Sequence, residues 1–281
     1  MKRELLQRGV FGALYIAVMV MAIVLGPYVA SGLFLVLSLC TLYEFYHLVR
    51  SHTQYRPLVL FGMVAGLLMF VAVFVATHRP GMRLLDGLML GAALFALSFG
   101  VLLALLPFWL LYHRGTTPIA NWGITILGCL YISLSFSLVS VLYVLGPAGE
   151  SYKLVLYPLI LVWVNDTGAY CVGNLIGKHK LIERISPTKT WEGFAGGLVL
   201  TILGGVLLSM FIPGASKLVW GVLGLLVGLL AVLGDLVESL IKRSLGVKDS
   251  GRFLPGHGGF LDRFDSVIFA LMGSSVFFFI V

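Results

Sequence analysis

Apolar runs, each close to the length of a membrane crossing, recur along this chain and restrict its fold more than any other feature. They fall near 9–26, 30–49, 58–76, 87–112, 122–145, 154–176, 191–213, 218–241 and 265–281. A helix rising 1.5 Å per residue needs about 20 residues to cross a hydrocarbon layer of roughly 30 Å. The reading is therefore an all-α polytopic membrane protein with about nine transmembrane helices. Composition agrees, because 59% of the 281 residues are hydrophobic and only 11% are charged, against about 25% charged in an average soluble domain. A soluble enzyme, a disordered chain, a coiled coil and a disulfide scaffold are excluded. Cys40, Cys129 and Cys171 lie in apolar stretches without paired spacing and read as packing residues.

The first run follows Met1-Lys2-Arg3-Glu4, which resembles the start of a signal peptide. Bulky Tyr28 spoils the best cleavage position at Ala30, so the run is expected to remain as a span. Nine spans with a cytoplasmic N-terminus place fifteen of the nineteen Lys and Arg residues on the cytoplasmic side. Only Arg79, Arg83, Lys153 and Lys217 fall on the other. That bias is the positive-inside pattern, so the C-terminus is expected on the opposite side. The net charge of +7 is thus accounted for by loops against a membrane, and nucleic acid is not an expected partner.

Acidic residues are distributed unevenly: nine of twelve lie at or after Glu150. The expected organisation is a scaffold of spans over 1–149, without functional residues, and catalytic spans over 150–281 with cytoplasmic loops 177–191 and 242–264. A carboxylate inside a span is costly unless it is paired or faces water, so each is a site candidate. Asp166 sits about 18 Å along its span, on the side where Ala169, Gly173 and Gly177 recur. Small residues let helices approach, so this side faces protein, and a plain interhelical hydrogen bond is the alternative role. Gly221, Gly224, Gly228, Ala231 and Asp235 form a second stripe, with Glu238, Ser239 and Lys242 one turn further on. Asp235 falls about 25 Å along a layer of about 30 Å, near its cytoplasmic boundary.

The segment from Ser239 to Ser266 gathers Lys242, Arg243, Lys248, Arg252 and Arg263 with Asp249, Asp262, Asp265, His257 and several glycines. Cations can neutralise phosphates, and the amides around Gly258-Gly259 can approach phosphate oxygens. Asp262 and Asp265, one helical turn apart, form with Asp235 a set of oxygen ligands suited to magnesium. Taken singly, the cations could merely anchor the cytoplasmic face, and His257 could merely brace the loop.

The order of these residues carries a resemblance. Ser239-x-x-Lys242-Arg243, then Lys248-Asp249-x-Gly251, then Leu254-Pro255-x-His257-Gly258-Gly259-Phe260-x-Asp262-Arg263-Phe264-Asp265 resembles the hallmark of the phosphatidate cytidylyltransferases, or CDP-diacylglycerol synthases. Asp166-Thr167-Gly168-Ala169-Tyr170, Gly173 and the stretch from Ile185 to Gly193 are similar to that family's second marked region. The resemblance implies transfer of a cytidylyl group from CTP to phosphatidic acid, giving CDP-diacylglycerol and pyrophosphate with Mg2+, and leaves room for a second cation in a binuclear site. It implies a metal on Asp235 and Asp262, with Asp265 a further ligand. Lys242, Arg243 and Lys248 join the catalytic set. Ser239, Asp166, Lys189, Asp249, Arg252, His257, Gly258, Gly259 and Arg263 are the expected substrate contacts. The expected partners are CTP, phosphatidic acid and membrane lipids, with a homodimer left open. The expected location is a cell membrane, as a multi-pass bacterial inner-membrane protein with its site facing the cytoplasm.

Elementary chemistry accepts that reaction. A lipid phosphate oxygen is already an anion at neutral pH and needs no strong general base. The difficulty is bringing two polyanions together, which a metal and well-placed cations relieve. A small transporter would also carry carboxylates in glycine-lined spans, but its ion path does not call for so cationic a loop. The nearer rivals are other CTP-using membrane enzymes, a polyprenol kinase or an archaeal-type lipid cytidylyltransferase, which differ in the acceptor. A purely structural membrane protein leaves the intramembrane carboxylates unexplained.

Overall fold

A computed structural model describes residues 2–78, 86, 89–94, 96–97, 99–100, 103–104, 117–147, 149–251 and 258–281, with side chains from residue 12 onward. The helices are α1 (Lys2–Val24), α2 (Pro27–His52), α3 (Val59–Thr77), α4 (Pro118–Leu145), α5 (Tyr152–Ile176), α6 (Trp191–Ser209), α7 (Lys217–Ser244) and α8 (Leu261–Ile280). Among the described residues, seven helices, α2 to α8, are long and apolar enough to cross a membrane. The chain is an all-α polytopic membrane protein that also carries, among the described residues, a two-stranded hairpin. The expected span at 87–112 lies largely outside the described residues, and the apolar part of α1 is Gly12–Val24.

The chain divides into two compact units, Met1–Val144 with Asp249–Leu261, and Leu145–Lys248 with Asp262–Val281. The first unit is sewn together by polar side chains inside apolar helices. Tyr46 of α2 donates its hydroxyl to the Thr125 carbonyl of α4 at 2.6 Å, and its ring lies against Gly62 and Gly128, where any side chain would collide with it. Thr125 and Asn121 of α4 accept the amides of Leu58 (2.9 Å) and Arg56 (2.7 Å) at the start of α3. These bonds supply partners for amides that a helix start would otherwise leave bare. A π-turn at Cys129–Leu134 interrupts α4 beside this contact.

In the second unit, small residues set the pairing. Along α5 and α6, Gly173 faces Gly193, Asn165 faces Gly197 and Leu161 faces Gly204, so the two helices run antiparallel. Along α6 and α7, Gly205 meets Trp220 and Thr201 meets Gly224, while Gly234 of α7 meets Asp265 of α8 and Gly273 of α8 meets Leu230. Each of these pairs is antiparallel too. The glycine stripe of α7 is thus the seam along which α6 packs, and it delivers Asp235 to one end of the unit. Trp220, ring to ring with Tyr157 (5.7 Å) and Phe278 (5.6 Å), closes the other end.

The loop expected over 177–191 contains structure. Strands β1 (Lys180–Ile182) and β2 (Ser186–Thr190) pair antiparallel across a three-residue turn, with Lys180 opposite Thr190 and Ile182 opposite Ser186. The strands are too short to show in an alternating pattern, and α6 holds them in place. Thr190 caps α6 by accepting the Gly193 amide at 3.2 Å. Glu192, in the first turn of α6, accepts the amides of Lys178 (3.1 Å) and His179 (3.2 Å).

Candidate active site

One end of the second unit opens into a cavity of about 520 Å3, within the range of roughly 300–1,000 Å3 usual for small-ligand sites. Asp166 from α5, Lys189 from β2, Asp235 from α7, and Asp262, Asp265 and Ser266 from α8 all line it. Each arrives for a local reason. Asp166 follows Asn165, a buried residue at the α5–α6–α7 crossing, whose amide nitrogen lies 3.5 Å from Asp166 Oδ1. Lys189 precedes the capping Thr190, so the fixed start of α6 holds it beside α7, with its ammonium 2.5 Å from Asp235 Oδ2. Ser239, one turn beyond Asp235, donates to Asp235 Oδ1 at 3.2 Å.

Carboxylates converge where α7 and α8 cross. One ligand oxygen each from Asp235, Glu238 and Asp265 lie within 4.8 Å of one another. Glu238 is fully buried, and its Oε1 makes no hydrogen bond within the described structure. Lys242 stands beside this group, its ammonium 2.6 Å from Glu238 Oε2 and 2.8 Å from Asp262 Oδ1. Asp262, expected as a metal ligand, lines the same cavity and contacts this lysine. Glu238 completes the close trio.

The donor chemistry suits a hard divalent cation. Such ions take oxygen ligands, chiefly carboxylates. Five carboxylates (Asp166, Asp235, Glu238, Asp262 and Asp265) face two ammonium groups (Lys189 and Lys242), a formal excess of three negative charges. An orphaned buried carboxylate oxygen within a metal-sized trio gives that excess a place to be neutralised. The described residues therefore fit a bound cation.

Among the described residues, the remaining expected ones are not part of the cavity lining. Arg243 is exposed and ties the end of α7 to the hairpin turn, donating from Nε to the Ile185 carbonyl (3.3 Å) and from a terminal nitrogen to the Val247 carbonyl (3.0 Å). Lys248, Asp249 and Arg263 are exposed. Gly258, at a φ of +79°, and buried Gly259 lie before α8, while Arg252 and His257 fall outside the described residues. The sequence reading assigned no role to Asn165, Thr188 or Ser266, all of which line the cavity. Glu238 could have been chosen from its spacing, three residues after Asp235 on the same helical face.

Comparison with known proteins adds an independent finding. A family model described as "Cytidylyltransferase family" matches residues 6–281. Proteins named phosphatidate cytidylyltransferase are similar over about half of this chain. The Staphylococcus aureus protein is 47% identical over 150 residues, covering 50% of this chain and 57% of the relative. The Staphylococcus epidermidis protein is 46% identical with the same coverage, and the Staphylococcus saprophyticus protein 44% identical over 142 residues, 54% of its length. The chain spans about half the length of the curated relatives it matches.

Proposed function

The chain belongs to the cytidylyltransferase family, and from that premise we propose that it condenses CTP with phosphatidic acid to give CDP-diacylglycerol and pyrophosphate. The observation that carries this reading is the juxtaposition of Asp235, Glu238 and Asp265 with Lys189 and Lys242 at one end of a membrane-spanning unit. The names of the relatives supply the substrates.

In the reaction, a phosphatidate oxygen forms a bond to the α-phosphorus of CTP. The bond between that phosphorus and the oxygen bridging to the β-phosphorus breaks, and pyrophosphate leaves with the electron pair. The attacking oxygen is an anion, so the absence of a Ser/His/Asp arrangement in the cavity lining is no obstacle. The carboxylates of Asp235, Glu238 and Asp265 would hold Mg2+, and Asp262 and Asp166 at the cavity wall would serve a second cation. Bound there, Mg2+ supplies charge neutralisation for the phosphates. Lys189 exchanges its contact with Asp235 for a phosphate oxygen, and Lys242 keeps Asp262 oriented. Lys248 and Arg263 attract the triphosphate, and Arg252, His257, Gly258 and Gly259 keep the substrate-contact roles that the resemblance implies. Arg243 secures the hairpin that carries Lys189.

Lys189, Lys242 and Arg243 lie toward this end of the unit, which supports a cytoplasmic site by the positive-inside pattern. Bacterial relatives support a bacterial cell membrane as the location, and the inner membrane stays the finer expectation. Nine spans would leave the N-terminus in the cytoplasm and the C-terminus outside it. The test is turnover of labelled CTP by purified protein with defined phosphatidic acid in detergent. Lipid-soluble product that disappears with EDTA and returns with Mg2+ supports the reading. Product formation insensitive to EDTA overturns the metal assignment, and uptake into sealed vesicles without turnover favours a transporter.

A further inference from the structure

Ser250, Phe260 and Leu261, close before and at the start of α8, converge on a carboxylate from the half of the chain that the sequence reading treats as scaffold. Glu44 is half-buried in the midst of α2, one of only three acidic residues before Glu150. Its Oε1 accepts the Ser250 hydroxyl at 2.5 Å and the Leu261 amide at 3.0 Å, and its Oε2 accepts the Phe260 amide at 2.9 Å. A Cβ at Gly251 would lie 2.8 Å from Oε2, and one at Gly259 would overlap Oε1. The glycines are therefore what allow the backbone to close over the carboxylate.

A charge in an apolar helix is expensive unless it is satisfied, and here three neutral donors converge on it. Leu261 is the first residue of α8. Its amide belongs to the set that every helix start leaves without an internal partner, and a carboxylate there also complements the positive end of the helix. Asp262 follows immediately and Asp265 lies one turn on. Gly258 and Gly259, directly before Phe260, restrict the backbone little by themselves, so whatever fixes the Phe260 and Leu261 amides fixes how α8 begins.

We propose that Glu44 is a positioning residue for the carboxylate site: by gripping Ser250 and the amides of Phe260 and Leu261, it sets the start of α8 and hence the direction of Asp262 and Asp265. Its activity readout rests on the cytidylyl-transfer reading, whereas its structural readout does not. Hydrogen–deuterium exchange of the full chain in detergent is compared between wild type, Glu44→Ala and Glu44→Gln. Exchange across 249–262 is expected to rise about tenfold in Glu44→Ala, with α5 and α6 unchanged. In the same preparation kcat falls by about tenfold or more while KM for CTP moves less than about threefold. Glu44→Gln, which keeps one acceptor oxygen, falls between. If Glu44→Ala does not purify folded, Ser250→Ala and Gly259→Ala give the same two readouts at smaller size. Unchanged exchange in a folded variant overturns the proposal, as does faster exchange with unaltered kcat. Wild-type protein without turnover defeats the functional reading alone. Mn2+ affinity then replaces kcat: weaker binding by Glu44→Ala supports positioning, and equal binding overturns it.

Discussion

Lys242 joins two largely buried carboxylates in the second unit. Its ammonium lies 2.6 Å from Glu238 and 2.8 Å from Asp262, and the three side chains are 13%, 0% and 10% exposed. The Lys189–Asp235 pair is shorter, at 2.5 Å, but its partners are 24% and 33% exposed. An exposed pair contributes about 0–1 kcal/mol, because water screens it and ordering two side chains offsets the attraction. Removing one partner of a buried pair costs about 3–5 kcal/mol, because a charge is left in a poor solvent. Lys242→Met removes the ammonium, keeps most of the side-chain bulk and leaves two carboxylates facing each other. It should therefore destabilise the protein by about 3–5 kcal/mol in EDTA, whereas Lys189→Met should cost about 1 kcal/mol or less. Unfolding followed by tryptophan fluorescence in detergent measures both, with a fall in midpoint of the order of 10 °C for Lys242→Met. Divalent cation should recover part of that loss, since it binds the folded carboxylates. A Lys242→Met midpoint matching Lys189→Met would refute the reasoning.

Four further outcomes are expected. Asp235→Asn and Asp262→Asn should each nearly abolish turnover while the protein still inserts and purifies; near-normal rates at saturating Mg2+ in either would reject that residue. Lys189→Met, close to neutral for stability, should lower kcat/KM for CTP by at least about tenfold, read from initial rates. Gly224→Ala would set a methyl against the Thr201 carbonyl of α6 and should cost about 1–3 kcal/mol in the same unfolding assay. Thr190→Ala removes the α6 cap and should cost about 1 kcal/mol, with a larger fall in turnover than in stability because Lys189 loses its fixed neighbour.

The spans could be read from the sequence because a membrane crossing writes itself locally, as a run of apolar residues of fixed length. Their packing was partly legible too. The stripe from Gly221 to Ala231 ends at Asp235, and the structure uses Gly224 and Gly228 of it as a contact seam. The last helix begins at Leu261, earlier than the expected 265. Polar Asp262 and Arg263 hid its start, although an acidic first turn favours a helix. The sequence paired Asp262 with Asp235 as ligands; in the structure Asp262 lines the same cavity beside Lys242, and Glu238 lies close to Asp235 and Asp265 as well. Spacing along one helix predicted which α7 residues share a face, but the depth to which Glu238 is buried depends on α8. The hairpin and Glu44 were invisible for the same reason. Two short strands and a contact between residues 44 and 261 arise from tertiary packing, which no periodicity records.

The most direct measurement follows phosphorus. Purified protein in detergent is given phosphatidic acid and CTP labelled at either the α- or the γ-phosphorus. Cytidylyl transfer predicts that the α-label enters the lipid phase and the γ-label leaves in pyrophosphate, with both movements stopped by EDTA. Gamma-label in the lipid, with CDP released, would mean phosphoryl transfer and would contradict the account.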